Sequence, residues 1–370
     1  MFAETPLPAL DPMPIPGPTW LFHLLWLVTF AVHVVGVNVV LGSSILGTFA
    51  ALDRDRAFGR PVARLFAEVN TWAISLTITF GIAPLLFLQV LYGRLFYSAT
   101  VILAPAWLGL LLLLMAAYYL TYAAKFRLRA GKGAALPLAL SALLFLAVAA
   151  IQVVVHLLSV QPGRWDAALA SPWAAFADRA FLPRFLHFAL AGVTLAAILL
   201  AWLAVRRPLA EEAERAVAAA RASWGVKLAL LATLLQLVVG LWLTISVPRD
   251  VLLGLMRGGA ATMAPFTLGI AAGFGLLVFL ARVRDPSADR SSVRRSLELF
   301  GLAMLLMLVT RHQLRDVYVD VAKAAAAPAT AAQWGVFAIF LVAFVACAVL
   351  CVVALRRIAT DRPAPGESTA

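Results

Sequence analysis

The sequence predicts an all-α polytopic membrane bundle of about nine transmembrane helices, and three observations predict it. Hydrophobic residues make up 63% of the 370 and charged residues only 13%, where a soluble domain is nearer one quarter charged. The mean hydropathy is +0.95. Charge-free stretches recur down the whole chain, each longer than the roughly 20 apolar residues a helix needs to cross a bilayer.

In order, these stretches are 12–52, 69–93, 95–124, 133–163, 185–205, 228–248, 258–281 and 324–355. A further span is expected near 297–319, interrupted by charges in its second half. Lysine and arginine set the orientation. Segments 53–68, 125–132, 206–221, 282–295 and 356–362 hold 20 of them, whereas the alternate connections, around 94, 164–184, 249–257 and 323, hold 7. The basic side is cytoplasmic, so the N-terminus is expected outside and the C-terminus inside. The net charge of +12 then faces anionic lipid headgroups, and no nucleic acid partner is needed to explain it.

Residues 1–18, rich in proline and lacking a basic n-region, read as an external segment rather than a cleavable signal peptide. Residues 19–357 form a single transmembrane helical domain, and 358–370, with prolines and small polar residues, a disordered cytoplasmic tail. No connection is long enough for a soluble domain, so a redox partner outside the membrane must be another chain. Cys347 and Cys351 lie one helical turn apart in the last span and read as small buried apolar residues. They are not a CxxCH attachment site, so any haem would be held without covalent links.

All five histidines, His23, His33, His156, His187 and His312, fall in these spans. The topology puts four in the half facing away from the cytoplasm, with His33 near the middle of its span. At about 1.5 Å per residue, His156 and His187 lie ~6 Å below the outer boundary, His312 ~10 Å, and His33 ~15 Å deeper than His23. Ionisable groups inside a bilayer are costly and mark function by default, and imidazole is a standard axial ligand of haem iron. His187, His33, His312 and His156 are the candidate axial ligands; His23, easily solvated at the interface, reads as a bystander. For each, a hydrogen bond to another helix is the alternative role.

The eighth span carries the other anomaly, Thr310-Arg311-His312-Gln313-Leu314-Arg315-Asp316. Residues four apart share a helix face, so Arg311 meets Arg315 and His312 meets Asp316. Two like charges on one face repel unless an anion lies beside them. Haem propionates are such an anion, and arginine binds carboxylates bidentately. Asp316 would orient the His312 ring, as carboxylates do for ligating histidines. The competing reading is an outer helix end that snorkels its charges to water. Asn38, Gln89, Gln152 and Gln236 add polar groups to the spans, while Gly36, Gly42, Ser43, Ser44 and Gly47 give the first helix a small-residue surface for close packing.

Pro183-Arg184-Phe185-Leu186-His187-Phe188-Ala189-Leu190-Ala191-Gly192 resembles the fifth-helix motif of the cytochrome bd quinol oxidase large subunit. In that family a histidine before a small-residue pair binds a low-spin haem b. Val160-Gln161-Pro162 is similar to the end of the family's fourth helix. His33 followed by Leu41-Gly42 resembles the stretch with its other axial histidine, and Phe80-Gly81 through Leu88-Gln89 its second helix. The likeness covers most of 20–205 and implies nine helices, an external N-terminus and a bacterial cytoplasmic (inner) membrane.

The departures are specific. Ala104-Pro105-Ala106-Trp107 lacks the glutamate of the family's proton path, and the quinol-engaging loop shrinks to about 248–264. No methionine stands in the seventh helix where the family's second low-spin ligand lies. Arg311-His312-Gln313 echoes the family's GRQPW signature without its haem-ligating glutamate. His312 or His156 is then the candidate partner of His187.

The first functional expectation is a membrane b-type cytochrome subunit with one or two non-covalent haem b groups near the outer face. It would pass electrons between the quinone pool and an extracytoplasmic redox partner such as a cytochrome c. Membrane lipids, quinone or quinol, and a second membrane subunit are its other expected partners. Two further readings stand beside it. One is a true quinol oxidase whose companion subunit completes the acid–base groups. The other is a haem-free transporter or assembly protein on the same scaffold.

Overall fold

The computed structural model describes residues 7–9, 13–53, 55–206, 211–323 and 329–360. Among these, nine long helices follow one another: α1 (Thr19–Leu52), α2 (Arg56–Ile102), α3 (Ala104–Arg129), α4 (Ala135–Ser159), α5 (Phe181–Val205), α6 (Glu212–Ser246), α7 (Ala260–Arg282), α8 (Arg290–Val321) and α9 (Trp334–Thr360). Shorter helical turns lie at Pro162–Arg164, Trp165–Ala170, Pro172–Ala177 and Arg249–Arg257. Eight of the nine are long and apolar enough to cross a membrane; α8, with its charges, is the exception. The fold is thus an all-α multi-pass bundle. Its outward surface is apolar, as lipid contact requires: Leu112 is 69% exposed and Val238 62%.

The chain divides into two compact units, one of Met1–Leu10 with His23–Ala326 and the other of Asp11–Phe22 with Ala327–Ala370. In the second, the Ile15 amide donates to the Ala329 carbonyl at 2.8 Å and the Ala331 amide to the Ile15 carbonyl at 2.9 Å. α9 carries both cysteines, and both are exposed, not buried as the sequence suggested: the apolar side chains around them, such as Phe344 and Leu350, face outward too. α9 runs as helix to Thr360, into the segment expected to be disordered; 361–370 lie outside the described residues.

In the first unit, α5 packs on α6, α7 on α8, and α3 on both α2 and α4. Close approach depends on small residues. A Cβ on Gly42 would lie 1.9 Å from the Gly192 carbonyl oxygen, and one on Gly225 2.5 Å from that of Ala197. The small-residue surface expected on α1 is therefore used against α5, and Gly36 meets Thr77 of α2 in the same way. α5 is the most shielded span, with 56% of its apolar window buried.

Two helix boundaries differ from expectation. The connection placed around Arg94 is a kink inside α2, at Tyr92 (φ −133°, ψ 25°). α2 continues because Leu95, Phe96 and Ala99 bury against Val154, Leu158 and Trp165; the turn comes at Leu103, where Pro105 opens α3. On the opposite side, most of the polar 206–221 connection is the first part of α6, because the run from Glu212 to Arg221 is rich in alanine, the best helix former.

Candidate functional site

α8 brings the polar residues of its second half against α1, α2 and α4. The Arg311 guanidinium lies over the Phe30 ring at 4.8 Å, and that of Arg315 over Trp26 and Tyr92 at 4.9 Å each. The His312 ring is 4.9 Å from His23 and 5.0 Å from Trp26. The Tyr92 hydroxyl, carried inward by the kink, donates to Asp316 Oδ1 at 2.5 Å. The other Asp316 oxygen is 3.9 Å from His312 Nε2, so the expected pairing along the helix forms. A cavity of about 10 Å³ beside Arg315, Tyr92 and Ser159 has room for one water.

Arg315 Nη2 lies 3.3 Å from His156 Nδ1. A guanidinium has no acceptor, so His156 Nδ1 must accept. The ring proton then sits on Nε2, which keeps no lone pair for a metal. His33 is arranged the opposite way. Its Nδ1 lies 2.9 Å from the Thr77 carbonyl of α2, to which only a ring N–H can donate. That leaves Nε2 as the free lone pair, the tautomer of a ligating histidine.

His187 faces α6. A Cβ on Gly240 would be 3.2 Å from its Cε1, and its buried Nδ1 approaches the Gln236 backbone of α6 without meeting full hydrogen-bond geometry. The structure therefore gathers His156, His312, Arg311, Arg315 and Asp316 into one cluster. It holds His187 against α6 and His33 against α2, where a Cβ on Gly81 would meet the ring at 2.8 Å.

The cluster is rich in unanswered positive charge. Arg311 Nη1, Arg315 Nη1 and Arg184 Nε are buried without hydrogen-bond partners, and Arg315 is 5% exposed. Among the described residues none of the three forms an ion pair, since Asp178 pairs with Arg164. Buried donors left unmade are costly. His23, Trp26, Tyr92 and Arg184 are members that sequence reasoning missed. His23 is packed on His312 rather than solvated, with its Nδ1 buried. Arg184 had a signal, standing one turn from His187; Tyr92 had none.

These features define a multi-pass helical membrane protein with a buried centre of histidines and arginines in one half of its bundle. The fold is that of a chain of the bd oxidase from Geobacillus thermodenitrificans, at a TM-score of 0.66 and 14% identity, over 95% of this chain and all of that one. No family model and no curated protein sequence matches.

Proposed function

We propose that the protein is a b-type cytochrome subunit of a bacterial cytoplasmic membrane, moving electrons between the quinone pool and a redox partner on the outer face. The observation that carries this reading is the clustering of buried guanidinium nitrogens that lack hydrogen-bond partners, in Arg311 and Arg315, with the imidazoles of His156 and His312. The oxidase fold of its neighbour supports it. The residues fit haem b on two counts: the free donors of Arg311 and Arg315 suit its propionates, and His187 and His33 offer lone pairs for iron. Bound without covalent links, one or two such groups supply one-electron redox centres.

The chain's own contribution is positional. Thr77 fixes the tautomer of His33. Tyr92 and His312 hold Asp316, which lies beside Arg315 and tempers its charge. His156 is assigned to Arg315 rather than to iron, and His312, packed against His23 and Trp26, would line the site or supply a second ligand. Leu95, Phe96, Val154 and Leu158 form an apolar cluster beside the site, and the low dielectric they provide would tune the potential. An external N-terminus, a cytochrome c-like acceptor or donor, surrounding lipid and a second membrane subunit complete the proposal.

The test is a pyridine haemochrome assay with reduced-minus-oxidised spectra on detergent-purified protein. A stoichiometric b-type signal is expected, losing one component in His187→Ala and another feature in His33→Ala. Protein from haem-replete cells that carries no haem would refute the reading.

A further inference from the structure

We infer that Arg184 joins Arg311 and Arg315 in one anion site that grips both carboxylates of the haem ligated by His187. The haem then stands with its propionate edge toward the end of α5 at which Phe181 lies. The inference rests on the haem reading above and extends it to a residue, a stoichiometry of charge and an orientation.

Placement is the first argument. Arg184 and His187 are three residues apart on α5 and so share a face, with Arg184 ~4.5 Å nearer the start of the helix. One turn thus presents an axial ligand and a carboxylate-binding group in the order that iron and propionates follow along a haem. α5 also packs on α8, which brings the α5 motif to the helix that carries Arg311 and Arg315.

Charge is the second. The acid that approaches Arg184 is Asp178, and its oxygens already accept from Arg164 (2.5 Å), Gln161 (2.7 Å) and the Ala180 amide (2.7 Å). Asp316 is taken by Tyr92. His156 answers Arg315 only as a neutral acceptor. Snorkelling does not relieve Arg315, because a snorkelled head group reaches water and Arg315 is 5% exposed; Arg184 and Arg311 are half-buried, but Arg184 Nε and Arg311 Nη1 are buried without partners. One carboxylate would leave two guanidinium charges uncompensated in low dielectric, where repulsion is strong. Two carboxylates on one rigid ligand leave a single excess charge, next to Asp316.

The test compares haem with haem dimethyl ester, which keeps the iron and ring but has no carboxylates. Both are titrated into the haem-depleted full-length protein in detergent, for wild type, Arg184→Gln and Arg184→Lys, with midpoint potentials of the loaded proteins. Wild type is expected to prefer haem over the ester. Arg184→Gln should reduce that preference at least about tenfold, as loss of a charge-assisted hydrogen bond predicts, while binding the ester as wild type does. Its potential should fall, since a positive charge near iron favours the reduced state, and Arg184→Lys should restore part of both. Equal weakening of haem and ester in Arg184→Gln overturns the assignment and makes Arg184 a packing residue. If Arg184→Gln binds neither, Arg184→Lys decides: kept discrimination supports the site and equal loss overturns it. Unchanged discrimination in Arg184→Gln refutes the role of Arg184 alone, whereas wild type that takes up neither ligand refutes the haem reading itself.

Discussion

Replacing Gly42 by alanine should separate α1 from α5 and cost more stability than any other single methyl on α1. The added Cβ would lie 1.9 Å from the Gly192 carbonyl oxygen, 2.5 Å from its carbon and 2.7 Å from Ala196 Cβ. Ordinary carbon–oxygen contacts begin near 3.3 Å, so the helices must part by about 1.4 Å. Both nearest atoms are backbone, so no rotamer change relieves the clash. Overpacking of this kind costs about 1–3 kcal/mol. Two controls bracket it. Gly47→Ala meets Phe66 Cβ at 3.3 Å, a contact that a small shift relieves, and Gly109→Ala meets nothing within 4 Å. The latter should stabilise α3 by about 0.5–1 kcal/mol through helix propensity. Thermal unfolding of the three variants in one detergent, followed by tryptophan fluorescence, ranks them. If Gly42→Ala unfolds with Gly109→Ala at or above wild type, the close crossing of α1 and α5 is wrong.

Other expectations concern the ends of α8. Tyr92→Phe removes the 2.5 Å hydrogen bond to Asp316 and should cost about 1–2 kcal/mol, given a charged but half-exposed acceptor. A double-mutant cycle with Asp316→Asn should return a coupling of similar size, and additivity would count against the bond. At the other end, Asp289 accepts from the Ser292 amide as the N-cap of α8, and these bonds from Ser292 hold its carboxyl below the usual carboxylate range. A carboxylate with a depressed folded pKa stabilises above its unfolded value near pH 4, and loses that as pH falls through the folded value. Hydrogen exchange in the first turn of α8 should therefore quicken in acid in wild type but not in Asp289→Ala, whose turn is already frayed at neutral pH.

Most of the bundle was legible because a membrane span advertises itself by composition over some twenty residues. Eight spans stood out in this way, and α8 stood out by violating it. Boundaries were less legible where charge was taken for a break. Arg94 sits inside α2 because its neighbours Leu95 and Phe96 bury into an apolar cluster with Trp165, a tertiary contact that no local window contains. The site followed the same division. Arg311, Arg315 and Asp316 were visible as charges where hydrocarbon was expected. His23 looked solvated from its position near a helix start, and only the structure lays it on His312. The tautomer that assigns His156 to Arg315 depends on a hydrogen bond across 159 residues, which spacing along one helix does not reveal.

The shielding of α5 has a consequence for biogenesis. A helix with 56% of its apolar window covered must first enter the bilayer naked and then trade lipid for protein. Its alanine and glycine face, Gly192 and Ala196–Ala197 through Ala201, is what α6 and α1 close upon. Membrane helices associate through such packing after each is already inserted, so α1 and α6 can close on α5 only where that small-residue face lets the backbones meet. Mutations along that face should therefore be read out as failed assembly and degradation of the chain.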